Sequence, residues 1–422
     1  MKKIKVTGEV ILPAGDAGED ITTMFEESYT QRAGLRRMQS RSYEADSDFP
    51  AGSAVRYSDD NGRTWGPWED VYAGVYSGAA DGAWEILNHI TYGKTYNPVH
   101  GHFVEVEMLR IMKGGHVAAY EAEWKGEFTV SDHCYLVVSG EEEAGEATFL
   151  RYEDGPELDP ANPLSEEYFS RNNAYFCKPT VCPNGDILLP LGISSEKACR
   201  MLGADAEENG KNAAMIVARG AWNGKTYDLS FSRPVVICDR QSSRGVMEPT
   251  AAALESGRIL VVFRGSNWLA DHLRMEPGTP GFKWYCTSDD GGSTFTQPVP
   301  WHFDDGEVIY SASSISHLVR SEKNGRLYWI GNITDHHADG NYPRWPLYIT
   351  EVDETYGLAR KETLTMIDTK RDRESDKVQL SNFNILQDRE TGNIELRLVK
   401  FGQLENRTYQ AETWKYTIDV GE

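Results

Sequence analysis

Glu248 is the residue whose surroundings point most directly to chemistry. It stands in Val246-Met247-Glu248-Pro249-Thr250, immediately before an apolar run with the character of a buried strand. A carboxylate has little structural reason to occupy that position. A carboxyl group beside a bound substrate can take up or release a proton, so we interpret Glu248 as a candidate catalytic residue.

A second group of proton-carrying residues lies upstream. Four of the ten histidines and several tyrosines fall within one stretch, namely His100, His102, His116, His133, Tyr135, Tyr152, Tyr168 and Tyr175. Such residues can transfer protons to and from a substrate, and arginines can neutralise an anionic group on it. The candidates are His133 and Tyr175 for proton transfer and Arg244, Arg264 and Arg344 for neutralisation. A structural role on a strand is equally open to His100 and His102.

The elements that would position these residues are indicated by a repeat. The octapeptides at 58–65 and 288–295 share the pattern Ser-x-Asp-x-Gly-x-Thr-aromatic. In a tight hairpin the Asp carboxylate accepts backbone N–H bonds, Gly adopts a positive φ, and the aromatic ring anchors the outgoing strand. Both octapeptides are therefore predicted to be hairpin turns.

A glycine between two short runs of β-forming residues is a second periodic signal. It recurs at Gly185, Gly257, Gly325 and Gly392, which are 72, 68 and 67 residues apart, and extends back to Gly101 and Gly34 at spacings of 84 and 67. The period predicts an all-β fold, a six-bladed β-propeller of four-stranded antiparallel blades, because no blade can bury both of its faces alone. Seven blades are the alternative if the longest spacing contains another unit.

Composition limits the class of protein. The chain has 422 residues with 39 Gly and 21 Tyr, and the repeat runs almost from end to end, so we expect a single propeller domain over residues 1–422. The net charge of −22 argues against nucleic acid or an anionic membrane as partner. It does not exclude a small anionic substrate, which responds to local arginines.

Three further expectations follow from the chain start, the cysteines and a polar loop. Residues 1–9 are basic but lack the apolar stretch and cleavage site of a signal peptide, so we expect a cytoplasmic protein or one whose leader has been removed. The six cysteines show no paired spacing, which favours thiols over disulfides. Residues 335–339 have metal-ligand types, but adjacent polar residues are more typical of a hydrated loop. We expect neither a metal nor another cofactor, and the oligomeric state is not indicated.

The two octapeptides resemble the Asp box of sialidase-type β-propellers, and further positions strengthen this resemblance. In that family a Glu-Pro precedes an inner strand, an arginine that binds the substrate carboxylate lies on the next strand, and another such arginine precedes a strand one blade on. Glu248-Pro249, Arg264 and Arg344 match these positions in order. The family's aspartate acid/base precedes the first box, where this chain offers Asp48 or, less closely, Asp46.

The resemblance implies an exo-acting glycoside hydrolase that removes a terminal acidic sugar from an oligosaccharide. Two guanidinium groups can hold a planar carboxylate by bidentate, charge-assisted bonds. Arg36 is among the loose candidates for the family's first arginine. Counting back from the hairpin glycines places Tyr175, Glu248, His317 and Phe383 at or beside the channel rim, which adds His317 as a substrate-binding candidate.

A departure from the family pattern and a second resemblance keep other functions open. Where the family has its tyrosine nucleophile this chain reads Asn382-Phe383, so a retaining mechanism would need another tyrosine such as Tyr175 or Tyr310. The upstream histidines and tyrosines are similar in composition to propellers that cleave rhamnose–glucuronate linkages, which implies a uronate lyase or rhamnosidase. A non-catalytic carbohydrate-binding propeller is the third possibility.

Overall fold

The computed structural model describes residues 3–15, 21–43, 52–71, 76–91, 93–118, 129–140, 145–159, 161–205, 213–269, 275–405 and 407–422. Within these ranges the strands form six antiparallel sheets, each of four to six strands, and successive sheets follow one another along the chain. The predicted six-bladed β-propeller is therefore confirmed. No helix of the described residues is long and apolar enough to cross a membrane.

Short helices accompany the strands of the first three blades. Blade one is β2 (Thr22–Tyr29), β3 (Arg37–Tyr43), β4 (Gly52–Ser58) and β5 (Glu69–Asp70). Blade two is β6 (Tyr76–Gly78), β7 (Trp84–Thr91), β8 (Thr95–Asn97), β9 (His102–Lys113), β10 (Val130–Ser139) and β11 (Glu146–Phe149). Blade three is β12 (Tyr175–Phe176), β13 (Thr180–Val181), β14 (Ile187–Ser194), β15 (Ala213–Trp222) and β16 (Tyr227–Phe231), with α1 (Glu166–Phe169) and α2 (Ser195–Leu202) beside it.

The last three blades complete the ring. Blade four is β17 (Met247–Ala253), β18 (Ile259–Arg264), β19 (Lys283–Ser288) and β20 (Val299–Pro300). Blade five is β21 (His317–Arg320), β22 (Leu327–Asn332), β23 (Leu347–Asp353), β24 (Leu358–Ala359) and β25 (Thr365–Asp368), with a 3₁₀ turn at Lys361–Thr363. Blade six is β26 (Asn384–Gln387), β27 (Ile394–Val399), β28 (Thr413–Asp419) and β1 (Lys5–Leu12). The first strand of the chain thus forms the outer edge of the last blade and closes the ring.

The periodic glycines occupy equivalent turns. Each lies in the turn between the inner strand of its blade, or the last segment of that strand in blades two and three, and the next strand outward. All have a positive φ, at Gly34, Gly101, Gly185, Gly257, Gly325 and Gly392. Glycine adopts this backbone conformation without the steric cost that a Cβ would add. The six-unit phasing taken from their spacing is therefore confirmed.

The two octapeptides form the same turn between the third and fourth strands of blades one and four. Asp60 Oδ1 accepts the backbone N–H groups of Arg63 at 3.0 Å and Thr64 at 2.8 Å. Asp290 Oδ1 accepts the equivalent N–H groups of Ser293 and Thr294, both at 2.9 Å. In antiparallel blades these turns lie at the same end as the glycine hairpins, opposite the starts of the inner strands.

The first strands of neighbouring blades contact one another around the axis. The N–H of Leu318 in β21 donates to Thr250 Oγ1 of β17 at 3.0 Å, and the Gln387 amide of β26 donates to the Arg320 carbonyl of β21 at 2.9 Å. The hydrophobic core lies between the blades, as in the cluster of Leu260, Val262, Trp301, Leu327 and Trp329 between blades four and five. Each blade buries a face against the next, which is the arrangement that the repeat requires.

Candidate functional site

Ionisable side chains from blades four and five meet where the inner strands begin, and we call this place the mouth, defined by Glu248, Arg264, Lys283, His317 and Arg344. Glu248 is the second residue of β17, and His317 is the first residue of β21. Arg264 ends β18 and pairs in register with Lys283, which begins β19. Antiparallel pairing thus brings the end of one strand and the start of the next to the same end of the blade.

Glu248 has a strained backbone. Its φ is 43°, a region that side chains other than glycine rarely adopt and that is found most often at functional sites. Its side chain is 19% exposed, and Oε2 lies 3.1 Å from Arg264 Nη1. That oxygen has no hydrogen-bond partner among the described residues. The carboxylate is therefore held by charge and stays accessible to a ligand.

Arg264 has donor capacity that the described protein leaves largely unused. Its hydrogen bonds are long, to the Ser313 carbonyl at 3.5 Å and to Met247 Sδ at 3.8 Å, beside the 3.1 Å ion pair of Nη1 with Glu248. The Nε atom has no hydrogen-bond partner among the described residues, although the side chain is only 8% exposed. A planar acceptor such as a carboxylate could use these donors.

Arg344 lies in the same cluster, directly before β23. Its Nη1 donates to Gln379 Oε1 at 2.8 Å and its Nε to the Asn341 carbonyl at 3.2 Å. Burial, followed by the positive charge of Arg264, lowers the pKa of Arg344 to about 10. Arg244 adds to this repulsion, while Glu248 opposes it. The mouth therefore carries an excess of positive charge.

Lys283 is a mouth residue that the sequence analysis missed. It is fully buried, and its amine donates to the Ser314 carbonyl. Burial, followed by Arg264, lowers the pKa of Lys283 to about 7, with Glu248 acting in the opposite direction. A signal was present, because a lysine in the aromatic segment Phe282-Lys283-Trp284-Tyr285 interrupts an otherwise apolar strand.

The segment whose backbone carbonyls accept hydrogen bonds from Arg264 and Lys283 also contains hydroxyl groups that lack a partner in the described chain. Ser313, Ser314 and Ser316 are buried, and their hydroxyl oxygens have no hydrogen-bond partner among the described residues. Buried hydroxyls normally find such a partner, so a run of three next to two cations is unusual. These groups can bond to a ligand that enters the mouth.

Lys178 spans the channel below the mouth. It lies between β12 and β13 in blade three, and its amine donates at 3.1 Å to the Ile385 carbonyl in blade six. Burial raises the pKa of the adjacent Glu26, which Lys178 partly opposes. Burial and then Lys178 lower the pKa of His317 to about 3, so that this ring, 5.2 Å edge-on from Phe383, is neutral. Neither Lys178 nor Glu26 was a sequence candidate.

Several other sequence candidates lie away from the mouth. His133 is buried inside blade two, with Nε2 3.1 Å from Ser131 Oγ, and burial lowers its pKa to about 4. Arg36 lies in the β2–β3 turn, at the opposite end of blade one, and pairs with Asp59 at 3.4 Å. The expectations that these two residues serve one site with Glu248 are corrected by this placement.

The remaining candidates fall into three groups: two tyrosines near the rim, two aspartates outside the described residues, and two histidines at the glycine-hairpin end. Tyr175 begins β12 and its ring lies 5.9 Å from the Arg110 guanidinium, while Tyr310 stacks on Phe282 at 5.5 Å. Asp48, like Asp46, lies outside the described residues. His100 and His102 stack beside Trp222 at the glycine-hairpin end, with His102 Nε2 2.8 Å from Tyr227 Oη.

Metal-binding residue types do not converge in the described part of the chain. No group of three or more His, Cys, Asp or Glu side chains there could hold a metal ion. All six cysteines are present as thiols.

No protein-family profile matches this chain, and no curated protein shows a significant sequence match. Several solved structures match the chain in fold. A protein of unknown function from Dyadobacter fermentans aligns over 100% of both chains with a TM-score of 0.61 and 11% identity. The NanB sialidase of Streptococcus pneumoniae aligns over 97% of this chain and 70% of its own with a TM-score of 0.56 and 12% identity. The Hadza microbial sialidase Hz136 gives the same TM-score and identity over 97% and 68%. At these identities the likeness shows the fold alone, a six-bladed β-propeller.

Proposed function

We propose that this protein is a glycosidase that binds a carboxylate-bearing terminal sugar at the mouth and hydrolyses its glycosidic bond. The observation that carries the proposal is the charge imbalance: among the described residues Arg264, Lys283 and Arg344 are buried around one carboxylate, that of Glu248, in a chain of net charge −22. Buried charge without a partner is costly, so its retention favours an anionic ligand. The unused donors of Arg264 suit a carboxylate.

Glu248 is the proposed proton-transfer residue. Because Phe383 stands where the resembling family has its tyrosine, we assign the attack on the anomeric carbon to water. Water oxygen bonds to that carbon, Glu248 takes the water proton, the glycosidic C–O bond breaks, and the departing oxygen receives a proton from a second carboxyl group. Asp48 is the candidate for the latter role, taken from the resemblance.

Cleavage at the end of a glycan is favoured by the contact that spans the channel. The Lys178 amine reaches the Ile385 carbonyl on the opposite blade, so that it obstructs the channel beneath Glu248 and His317. A sugar chain that threads through the axis would have to displace it. A terminal residue can enter from the mouth alone.

Elimination at a uronic acid is the second candidate, and His317 is the observation that favours it. This ring is neutral because burial lowers its pKa, and it lies at the mouth with arginines that can neutralise a uronate. Elimination would transfer the C5 proton to a base and expel the C4 oxygen, which leaves a double bond between C4 and C5.

The two reactions are distinguished by their products. The protein is incubated with sialyl oligosaccharides and with rhamnosyl-glucuronate in ¹⁸O-labelled water, and products are followed by near-ultraviolet absorbance and mass. Hydrolysis incorporates one labelled oxygen and creates no chromophore, which is the expected result. An absorbing, unlabelled product would replace hydrolysis by elimination. Binding without any product would assign the mouth to a carbohydrate-binding function.

A further inference from the structure

Lys283 differs from two other deeply buried lysines of the described chain. Lys400 is fully buried and lies 2.9 Å from the Asp368 carboxylate, and Lys197 lies 2.7 Å from that of Glu153. Both lysines therefore have the charged partner that burial normally demands. Lys283 is equally buried, but no carboxylate among the described residues forms an ion pair with it.

The surroundings of Lys283 are dominated by positive charge. The groups that face it are Arg264 on β18, Glu248 on β17, Arg344 ahead of β23 and His317 on β21. Its amine and Nη1 of Arg264 donate to consecutive backbone carbonyls, those of Ser314 and Ser313. Lys283 and Arg264 thus share one segment of chain as well as one ladder pair. A change in the charge of the amine is transmitted directly to the arginine beside it.

We propose that Lys283 is a positioning residue of this anion site, and that its amine takes up a proton when a carboxylate binds to Arg264 and Arg344. This inference rests on the anion site of the proposed function. The bound carboxylate offsets the two guanidinium charges, so that a third positive charge becomes favourable beside them. The ammonium then holds the Ser314 carbonyl and keeps the neighbouring Ser313 against Arg264. The proton comes from the buffer.

The expected pH dependence follows from the direction of the shift. Without a ligand, burial and then Arg264 lower the pKa of Lys283 to about 7, so the amine loses its proton as the pH rises above that value. With an anion bound the amine stays protonated to higher pH. Between the two values binding consumes up to one proton, and the dissociation constant rises by up to about tenfold per pH unit.

The experiment is calorimetric titration of the full chain at pH 6.5 in bis-Tris and at pH 7.5 and 8.5 in triethanolamine and in Tris. These cationic buffers do not compete for an anion site, and the different ionisation enthalpies of the last two report proton uptake. The probes are N-acetylneuraminate, D-glucuronate and sulfate. In the wild type we expect uptake that approaches one proton at pH 8.5 and an affinity that falls with pH. In Lys283→Met the uptake and the pH dependence should be lost while binding persists. Lys283→Arg, which carries a permanent charge, should also bind without uptake and serves if the methionine variant does not fold.

Lys197→Met is the matched control, because it removes a buried lysine remote from the mouth and should leave the proton uptake unchanged. Sugar acids that bind to the wild type without uptake, or uptake that persists in both Lys283 variants, would overturn this inference and leave the proposed function standing. If sulfate alone binds with uptake that requires Lys283, the inference holds and the sugar specificity fails. If none of the three anions binds, both proposals fail.

Discussion

Two buried clusters of arginine lie at opposite ends of the propeller, and their charge balance differs. The cluster between blades one and six, which we call the seam, consists of Glu27, Arg37, Asp388, Glu395 and Arg397. Arg37 Nη1 lies 2.8 Å from Glu27 and 2.7 Å from Glu395, and Arg397 Nη2 lies 2.8 Å and 2.6 Å from the same carboxylates. In the seam every arginine is matched by carboxylates, whereas the mouth has one carboxylate for its several cations.

The titration behaviour of the two clusters shows the same difference. Burial acts to lower the pKa of Arg37, but the carboxylates of Glu395 and Glu27 raise it above its usual value. At Arg344 burial and the neighbouring Arg264 both lower the pKa. The arginines of the seam have carboxylates that offset their charge, and they join blades one and six. The arginines of the mouth lack that compensation, so their charge can serve a ligand. The following predictions test that distinction.

The largest effect on stability is expected from Glu27→Gln in the seam. Removing this carboxylate leaves Arg37 and Arg397 with uncompensated buried charge, which should lower the free energy of unfolding by about 3–5 kcal/mol. Urea denaturation measures the loss, and the activity of the remaining folded protein should be unchanged. Glu390→Gln is the control, because Glu390 pairs with an exposed arginine. A seam variant as stable as the control would contradict the structural role.

Glu248→Gln should lower activity rather than fold stability. The amide retains the shape of the side chain but cannot exchange a proton, so we expect kcat to fall by at least about a hundredfold. Circular dichroism should show an intact fold. Glu255→Gln, on the exposed hairpin of the same blade, is the matched control and should keep full activity. Unaltered turnover in Glu248→Gln would remove this residue from the mechanism.

Arg264→Lys should weaken ligand binding by about 1.5–3 kcal/mol, because lysine cannot reproduce two parallel guanidinium bonds to a carboxylate. Calorimetric titration with the acidic sugar measures the loss. Arg258→Lys is the control, because Arg258 pairs with Asp289 at the opposite end of the same strand. If even Arg264→Ala binds as tightly as the wild type, the carboxylate is held elsewhere.

The smallest effect is a pH dependence of stability that originates in the seam. Burial opposes ionisation of Glu395, but Arg397 and then Arg37 lower its pKa to about 2. A carboxyl group whose pKa is lower in the folded than in the unfolded protein stabilises the fold at pH values above the unfolded pKa. This stability is lost as the pH falls from about 4.5 to about 2. The slope is at most about 1.4 kcal/mol per pH unit for one proton. Urea midpoints between pH 5 and 2.5 should show a shallower slope in Glu395→Gln than in the wild type.

Local sequence patterns were sufficient for the blades and for part of the mouth. The hairpin glycines and the two Asp turns mark positions where the backbone alone dictates the residue type, and their period predicts the number of blades. Glu248 stood out because a charged residue interrupts a strand pattern. Arg264 and Arg344 were predicted as binding residues from their order along the chain. In the structure both lie close to the Glu248 carboxylate.

The limits of that reasoning are equally physical. Arg36 was selected for its type, but its turn lies at the wrong end of blade one, because strand direction reverses with every hairpin. His133 carries a catalytic side chain, yet its strand packs it inside blade two. A residue's type shows what it can do, and its place in the ladder shows whether a ligand can reach it.

Repeat length, turn residues and strand polarity are local properties, so the chain order alone is enough to predict a six-bladed propeller with Glu248 at the start of an inner strand. The charge balance of the mouth is not local. Glu26 of blade one interacts with Lys178 of blade three, and Lys283 of blade four with Arg344 of blade five, only because ring closure brings strands that are distant in the chain to one axis. Burial then changes how these groups titrate, since the free energy of a charge depends on everything packed around it.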